Sequence, residues 1–261
     1  MKRLDRRALF ASGAAAALLA ASGLAVDALP RRGGKLRIAV QDGAGARAVA
    51  HGAVFETLTE VGADGLLRGE GATSWHGNAD ATVWHFHLRP GTVFHDGTSL
   101  TAKDVIATLE RPDSPVAQTI AELQETEDGL RIALHEGDPG FPYLLADPRL
   151  AITPAGAVED DMARWCGSGL YKVVTARNGR QWLGRRVDSH WKDGQAGWAD
   201  AVEVISITDP AVREEALSDG YVDVAELDQE VRFGDHVGRP SIVSGRSRLD
   251  DGRIAERWWL T

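Results

Sequence analysis

Residues 82–111, TVWHFHLRPGTVFHDGTSLTAKDVIATLER, constrain the fold more than any other part of the chain. At the start of this stretch Trp84, Phe86 and Leu88 alternate with other residues, so they fall on one side of an extended chain. A Pro-Gly and an Asp-Gly dipeptide follow, and both are turn signals. The stretch therefore predicts a strand with one buried face, a type II turn, a short hairpin and a helix.

The helix at the end of this stretch has clear start and stop signals. Thr101 is a natural N-cap, and Asp104 at the third helical position completes a variant of the capping box. Leu100 can pack against Val105 as a hydrophobic staple, and Pro112 ends the helix. The predicted buried stripe consists of Ala102, Val105, Ile106 and Leu109.

The segment FHLRPGTVFHDGTSLTAKDV resembles the signature of the family 5 extracytoplasmic solute-binding proteins, which are the peptide, oligopeptide and nickel binders of ABC importers. Other segments resemble the same family, in family order, between residues 33 and 227: FETL at 55–58, TSW at 73–75, FPYLL at 141–145 and GSGLYK at 167–172. In GSGLYK, Ser168 and Leu170 replace the Thr and Pro of the family. The signature marks the fold and need not touch a ligand.

The resemblance implies an α/β fold of the periplasmic-binding-protein type II, with a mixed β-sheet and flanking helices. Members of the family are clamshells whose two lobes close on a solute. With 261 residues the chain has about half of the usual family length, so we expect only about one lobe of the clamshell. The second lobe, which supplies most of the charged residues that hold peptide termini, is expected to be largely missing.

The function that the resemblance implies is that of a periplasmic substrate-binding component of an ABC importer. It would bind peptides or a similar small solute without chemistry or a cofactor, and its partner would be an ABC permease in the inner membrane. The alternative is a reduced, one-lobed relative that acts as a scaffold or interaction protein. That alternative follows from the open half-cleft, which would bury less than the roughly 70–90% of a ligand usual for small-molecule sites.

The candidate ligand-binding residues are those expected beside the cleft. Residues 41–46 form a Gly-rich loop after the first predicted strand, and in the resembled family this loop borders the cleft. Gln41 and Asp42 could hydrogen-bond a polar group or an amine, whereas Phe55 and Tyr171 could supply apolar walls. Gly169 permits a tight backbone beside the cleft.

Two features could suggest chemistry, and neither matches an established motif. His76, His85, His87 and His95 are close in sequence, but their spacing fits neither a zinc finger nor an HExxH helix. Ser168 lies in Gly-Ser-Gly, which is not the G-x-S-x-G nucleophile elbow. We therefore expect neither a metal site nor an enzyme.

Residues 1–28 have the features of an export signal. Basic residues precede an Ala-rich apolar run at 8–25, and the run RRALF at 6–10 resembles a twin-arginine signal. A cleavage site is plausible at 26–28. The alternative is an N-terminal membrane anchor, for which this Ala- and Gly-rich run is barely long enough. We expect an exported, periplasmic protein whose solute-binding domain occupies residues 29–261.

Composition narrows the choice of partners. The net charge of −9 argues against nucleic acid or an anionic membrane as the main partner. Cys166 is the single cysteine of the chain, so an internal disulfide is excluded.

Further elements follow from periodicity and chain breakers. Strands are predicted at 35–40, 73–75, 129–135, 150–154, 201–208 and 221–227. Helices are predicted at 48–59, 114–123, 141–145 and 210–219, and residues 61–71 are predicted to be a surface loop. The strand, helix and strand within 201–227 predict a βαβ unit with parallel strands.

Overall fold

The structure is a computed structural model, which describes residues 32–62, 65–177, 179–227 and 230–233. The strands are β1 (Lys35–Val40), β2 (Thr59–Val61), β3 (Leu67–Gly69), β4 (Ala72–Gly77), β5 (Val83–Leu88), β6 (Ile120–Thr126), β7 (Gly129–Leu134), β8 (Tyr171–Arg177), β9 (Gln181–Arg186), β10 (Ala201–Ser206), β11 (Val224–Leu227) and β12 (Glu230–Phe233). The helices are α1 (Gly43–Val54), α2 (Ala102–Leu109), α3 (Phe141–Leu144) and α4 (Pro210–Ser218). Short 3-10 turns lie at Pro148–Leu150, Pro154–Gly156 and Met162–Arg164.

The described chain forms two larger sheets and a small hairpin. The six-stranded sheet has the order β12-β11-β1-β10-β9-β8, and the four-stranded sheet has the order β4-β5-β7-β6. In the six-stranded sheet β1 is parallel to its neighbours β10 and β11, whereas β9 and β12 are antiparallel to theirs. The α/β class and the mixed sheet predicted from the resemblance are therefore confirmed.

The four-stranded sheet contains the segment that most constrains the fold, and the strand, the short hairpin and the capped helix predicted there are confirmed. Trp84 and Phe86 are buried in β5, and Leu88 packs against the same core. Asp104 Oδ2 accepts a hydrogen bond of 2.9 Å from the backbone N–H of Thr101, as the capping box requires. The strand and the capped helix both contribute to one hydrophobic core beneath this sheet.

Helix α1 begins and ends earlier than the predicted helix at 48–59, and the predicted Gly-rich loop at 41–46 is largely its first turn. Asp42 is the N-cap, and its side chain accepts a hydrogen bond of 2.9 Å from the backbone N–H of Gly45. Phe55 ends the helix because its backbone is extended, with φ −115° and ψ 154°. The cap and a buried Ala/Val face outweigh the low helix propensity of the glycines.

Three other predictions from the sequence are wrong. Residues 61–71 are not a plain surface loop, because β2 and β3 pair there and Glu70 is fully buried. Residues 150–154 are not a strand; the chain leaves a 3-10 turn there, and the N–H of Ile152 donates to the carbonyl of Glu56 at 2.8 Å. The predicted helix at 114–123 is a series of turns that leads into β6.

The error at β6 has a local cause. The register between β6 and β7 shifts between Ile120 and Glu122, which is the signature of a β-bulge. An extra residue in a bulge places Ile120 and Leu123 on the same face, at a spacing of three that imitates a helix. The hairpin that follows, with its turn at Glu127 and Asp128, is confirmed.

The predicted βαβ unit is confirmed as to its parallel strands. β10 and β11 are both parallel to β1, which lies between them. Asp209 caps α4 through a hydrogen bond of 2.9 Å from the N–H of Ala211, and Gly220 follows the helix with φ 72°. The predicted export signal at 1–28 lies outside the described residues. None of the described helices is both long and apolar enough to cross a bilayer.

Candidate functional site

Strand β1 lies inside the six-stranded sheet, and the helices that follow β1 and β10 pack on opposite faces of that sheet. Helix α1 follows β1 and packs on the face that contains Leu36, Ile38 and Val40. Helix α4 follows β10 and packs on the opposite face, where Ala39 contacts Val222 and the inner residues of β11. Ligands of open α/β sheets bind outside the carboxyl ends of the strands, where the connections switch from one face to the other. The ends of β1, β10 and β11 are therefore the candidate site, which we call the carboxyl edge.

Two of the predicted ligand-binding residues lie at the carboxyl edge. Gln41 and Asp42 follow β1 directly, and both are exposed. The N–H of Gln41 donates to Glu226 Oε2 at 2.8 Å, so a second carboxylate lies at the start of α1. Asp42 forms no ion pair with any residue that the structure describes. This edge thus presents carboxylate oxygens and an amide side chain to solvent.

A buried arginine holds the strand ends of this edge together, and sequence reasoning missed it. Arg213 lies in α4 and is only 2% exposed. Its guanidinium donates hydrogen bonds to the carbonyls of Ile207 and Thr208, at the end of β10, and of Glu226, in β11. Because a buried guanidinium needs acceptors for its N–H groups, this arrangement fixes the two strand ends relative to each other. No local pattern distinguishes Arg213 from an exposed helical arginine.

The other three predicted ligand-binding residues lie beyond the opposite end of α1. Phe55 is buried and packs its ring 5.3 Å from that of Trp165. The N–H of Gly169 donates to the carbonyl of Val54 at 2.9 Å, and a Cβ on Gly169 would lie 2.7 Å from a backbone oxygen of α1. Tyr171 is fully buried, and its hydroxyl donates to the carbonyl of Ala199 at 3.0 Å.

The five predicted residues are thus divided into an exposed pair and a buried trio. Helix α1 has 12 residues between them, which at 1.5 Å per residue corresponds to about 18 Å. An extended peptide would need about five or six residues to contact both groups, so a shorter solute cannot reach them together. The ligand-binding role of each of the five residues stays a prediction.

A network of buried charges joins the two larger sheets, and we call it the junction network; it contains Glu56, Glu70, His190, Trp191 and Lys192. Glu56 is fully buried and accepts hydrogen bonds from Trp191 Nε1 at 2.6 Å and from Ser168 Oγ at 2.8 Å. His190 Nε2 is 3.3 Å from the same carboxylate. The hydroxyl of Ser168, a residue that could have suggested a nucleophile, thus donates a hydrogen bond to a structural carboxylate.

The second half of the junction network is an ion pair. Lys192 Nζ lies 2.7 Å from Glu70 Oε1 and 3.2 Å from Glu60 Oε2. Glu70 Oε2 also accepts a hydrogen bond of 2.8 Å from the backbone N–H of Thr57. The guanidinium carbon of Arg89 stacks 3.7 Å from the ring centre of Trp191, which suits a cation–π contact. These charged groups have partners inside the protein, so few of their hydrogen-bonding atoms are available to a solute.

Three of the four histidines singled out in the sequence lie together on the four-stranded sheet, and the fourth lies apart. The rings of His76 and His85 stack with centroids 5.0 Å apart, and His87 Nδ1 lies 2.6 Å from Asp128 Oδ2. His95 is separate: its Nε2 donates to the carbonyl of Gly169 at 2.8 Å, and burial lowers the pKa of its imidazole. Within the described ranges, no group of three or more His, Cys, Asp or Glu side chains is arranged to hold a metal.

Fold and candidate site define a lobe of a type II periplasmic binding protein. The chain belongs to the bacterial extracellular solute-binding proteins, family 5 Middle, whose family model matches residues 67–233. It is 28% identical over 156 residues to the periplasmic oligopeptide-binding protein OppA of Escherichia coli K12, over 50% of this chain and 28% of OppA. It is also 35% identical over 104 residues to the HTH-type transcriptional regulator SgrR of Salmonella typhi, over 39% of this chain and 19% of SgrR.

Solved structures show the same fold. The periplasmic binding protein AgaA of A. tumefaciens R10, in complex with agropinic acid, aligns with a TM-score of 0.67 and 25% identity, over 74% of this chain and 43% of AgaA. DppA of Helicobacter pylori, in complex with the peptide STSA, aligns with a TM-score of 0.63 and 22% identity, over 75% of this chain and 47% of DppA. The chain thus spans less than half the length of each of these four proteins.

Proposed function

We propose that this chain is the solute-binding component of an ABC importer and binds peptides or a similar small solute without chemical change. Its family membership supports this function, and its relatives include a periplasmic oligopeptide-binding protein and a binding protein solved with a peptide. In this proposal the protein is exported by the twin-arginine route, acts in the periplasm, and passes its solute to a permease in the inner membrane.

The observation that carries the proposal is the exposure of Gln41 and Asp42 at the carboxyl edge. Charged side chains at the ends of parallel strands, beside a helix start, are available to a ligand. The carboxylates of Asp42 and Glu226 favour a cationic group such as an amine, and the Gln41 amide can donate or accept a hydrogen bond. In this assignment Phe55, Gly169 and Tyr171 support the wall of the lobe from inside and do not contact the solute.

The test is a thermal-shift screen of the purified exported form against peptides, amino acids, sugars and divalent metals. A solute that binds only the folded state raises the unfolding midpoint by mass action. We expect a dose-dependent rise with peptides or with a related amine-bearing solute. A cooperatively folded protein that responds to no member of the panel would contradict the proposal and favour the scaffold function.

A charge-removing variant locates the site. Asp42→Asn removes the carboxylate but keeps an N-cap residue of nearly equal quality, so helix α1 stays capped. We expect the affinity for the solute to fall by about tenfold, equivalent to roughly 1.4 kcal/mol. The matched control is Asp80→Asn, because Asp80 is likewise exposed and accepts a hydrogen bond from Thr82 in the turn before β5. An equal loss in both variants would place the solute elsewhere.

A further inference from the structure

The turn between β8 and β9 brings two arginines to the carboxyl edge. Arg177 ends β8, and Arg180 directly precedes β9. The carbonyl of Arg180 accepts a hydrogen bond of 2.8 Å from the N–H of Ser206, which is the last residue of β10. The turn is therefore fixed to the end of a parallel strand, on the same side of the sheet as the start of α1.

A close backbone contact places these arginines beside Asp42. A Cβ on Gly43 would lie only 2.6 Å from the Cα of Gly179, so the start of α1 and the β8–β9 turn touch. Asp42 and Arg180 are the immediate sequence neighbours of these two glycines. Asp42 and Arg180 thus lie next to the same backbone contact in sequence, and neither side chain forms an ion pair with a described residue.

Neither arginine has its charge paired with a carboxylate in the described part of the protein. Arg177 and Arg180 are exposed, and neither forms an ion pair within 4.0 Å with a described residue. Arg186, in the same hairpin, does pair with Asp193, and Lys35 at the start of β1 pairs with Glu203 at 3.1 Å. Although carboxylates are in excess in a chain with a net charge of −9, both guanidiniums remain open to an anion from solution.

We propose that Arg177 and Arg180 form an anion subsite of the carboxyl edge, which takes a carboxylate of the solute. A guanidinium presents a planar fork of N–H donors that matches a carboxylate in a bidentate pair. With Asp42 at the neighbouring position, the edge presents opposite charges side by side. The solute class is then zwitterionic: a short peptide, or an amino-acid derivative that carries both an ammonium and a carboxylate group. This inference rests on the proposed function.

The hairpin itself contains a matched control. Lys172 and Arg185 are directly opposite each other at the other end of β8 and β9, and they also form no ion pair within the described ranges. Arg177 is five residues further along β8, which at about 3.3 Å per residue places it roughly 16 Å from Lys172. The variants Arg177→Gln/Arg180→Gln and Lys172→Gln/Arg185→Gln therefore make the same change in net charge at opposite edges of the sheet.

The experiment is isothermal titration of the wild-type protein and both double variants at a fixed salt concentration. The probes are trialanine with free termini, trialanine amide and N-acetyl-trialanine. We expect the wild-type protein to bind free trialanine about tenfold or more tightly than the amide, as the loss of a charge-assisted hydrogen bond implies. Arg177→Gln/Arg180→Gln should weaken binding of free trialanine by the same factor and leave binding of the amide unchanged.

The control variant Lys172→Gln/Arg185→Gln should bind all three probes like the wild type. Equal weakening in both double variants would overturn the inference, because only the total charge would then matter. Equal affinity of the wild type for free and amidated trialanine would also overturn it, while the proposed function would stand. If the wild type binds no probe and no member of the wider solute panel, the proposed function itself fails.

Discussion

Two groups of charged residues in this lobe differ in their burial and in their ion pairing. In the junction network, Glu56, Glu70 and Lys192 are at most 4% exposed and are each engaged by hydrogen bonds or ion pairs. At the carboxyl edge, Asp42 and Arg180 are exposed and form no ion pair with a described residue. The comparison separates charges that the fold pairs with each other from charges that it leaves without an ion pair among the described residues.

The largest expected effect comes from breaking the buried ion pair. Lys192→Met leaves the fully buried carboxylate of Glu70 without its cation, and losing one partner of a buried pair costs about 3–5 kcal/mol. Urea unfolding measures the change in the free energy of unfolding. The matched control is Lys35→Met, which removes the half-exposed cation of the surface pair with Glu203 and should cost less than about 1 kcal/mol. Equal costs would show that the junction network is no more stabilising than a surface pair.

A smaller effect is expected from titration of His95, which lies beside the junction network. Burial lowers the pKa of this imidazole, and its Nδ1 is buried without a hydrogen-bond partner among the described residues. The Gly169 carbonyl and Glu56 favour the charged form, whereas His190 and Lys172 oppose it. The unfolded chain therefore takes up the proton at a higher pH than the folded protein does.

The sign of the pH dependence follows from that difference. The contribution of His95 is fully present above about pH 6.5, the ordinary value for histidine, and is lost as the pH falls below it. One proton can change the stability by at most about 1.4 kcal/mol per pH unit. Between pH 7.5 and 5.5, we expect the urea midpoint of His95→Gln to fall less than that of the wild type. The control is His135→Gln, because His135 is exposed. Parallel curves for the wild type and His95→Gln would contradict this assignment.

The smallest effect on stability is expected at the carboxyl edge. Asp42→Asn keeps the cap of α1, and Arg177→Gln/Arg180→Gln removes side chains that make no ion pair with described residues, so each variant should change the free energy of unfolding by less than about 0.5 kcal/mol. Thermal unfolding without solute measures this. A loss above about 2 kcal/mol in either variant would show that the edge charges serve the fold.

The sequence predicted best where local signals agree with each other. Alternation in β5, the capping box of α2 and the Pro and Gly that flank α4 are each contained within a few residues. Prediction failed at β6, where the extra residue of a bulge shifted the alternation of buried and exposed side chains. It also failed at α1, where the Asp42 cap starts the helix among glycines. Both failures come from a cap or a hairpin partner nearby in the chain, whose effect simple periodicity does not include.

The candidate site was partly predictable for the same reason. Gln41 and Asp42 follow a strand directly, so their position at a sheet edge can be read from the chain. The burial of Phe55 and Tyr171 depends on packing against α1 and the six-stranded sheet, which a linear pattern does not reveal. The junction network and Arg213 were missed because their partners lie far apart in sequence and because a buried charge resembles an exposed one until its neighbours are known.

The most direct test of the account is the solute affinity of Asp42→Asn and Lys192→Met, measured by isothermal titration at a temperature where both variants are folded. The account predicts that Asp42→Asn loses about tenfold in affinity while Lys192→Met, although far less stable, binds like the wild type. If Lys192→Met lost affinity and Asp42→Asn retained it, the solute would bind at the junction of the sheets and the carboxyl edge would not be the site.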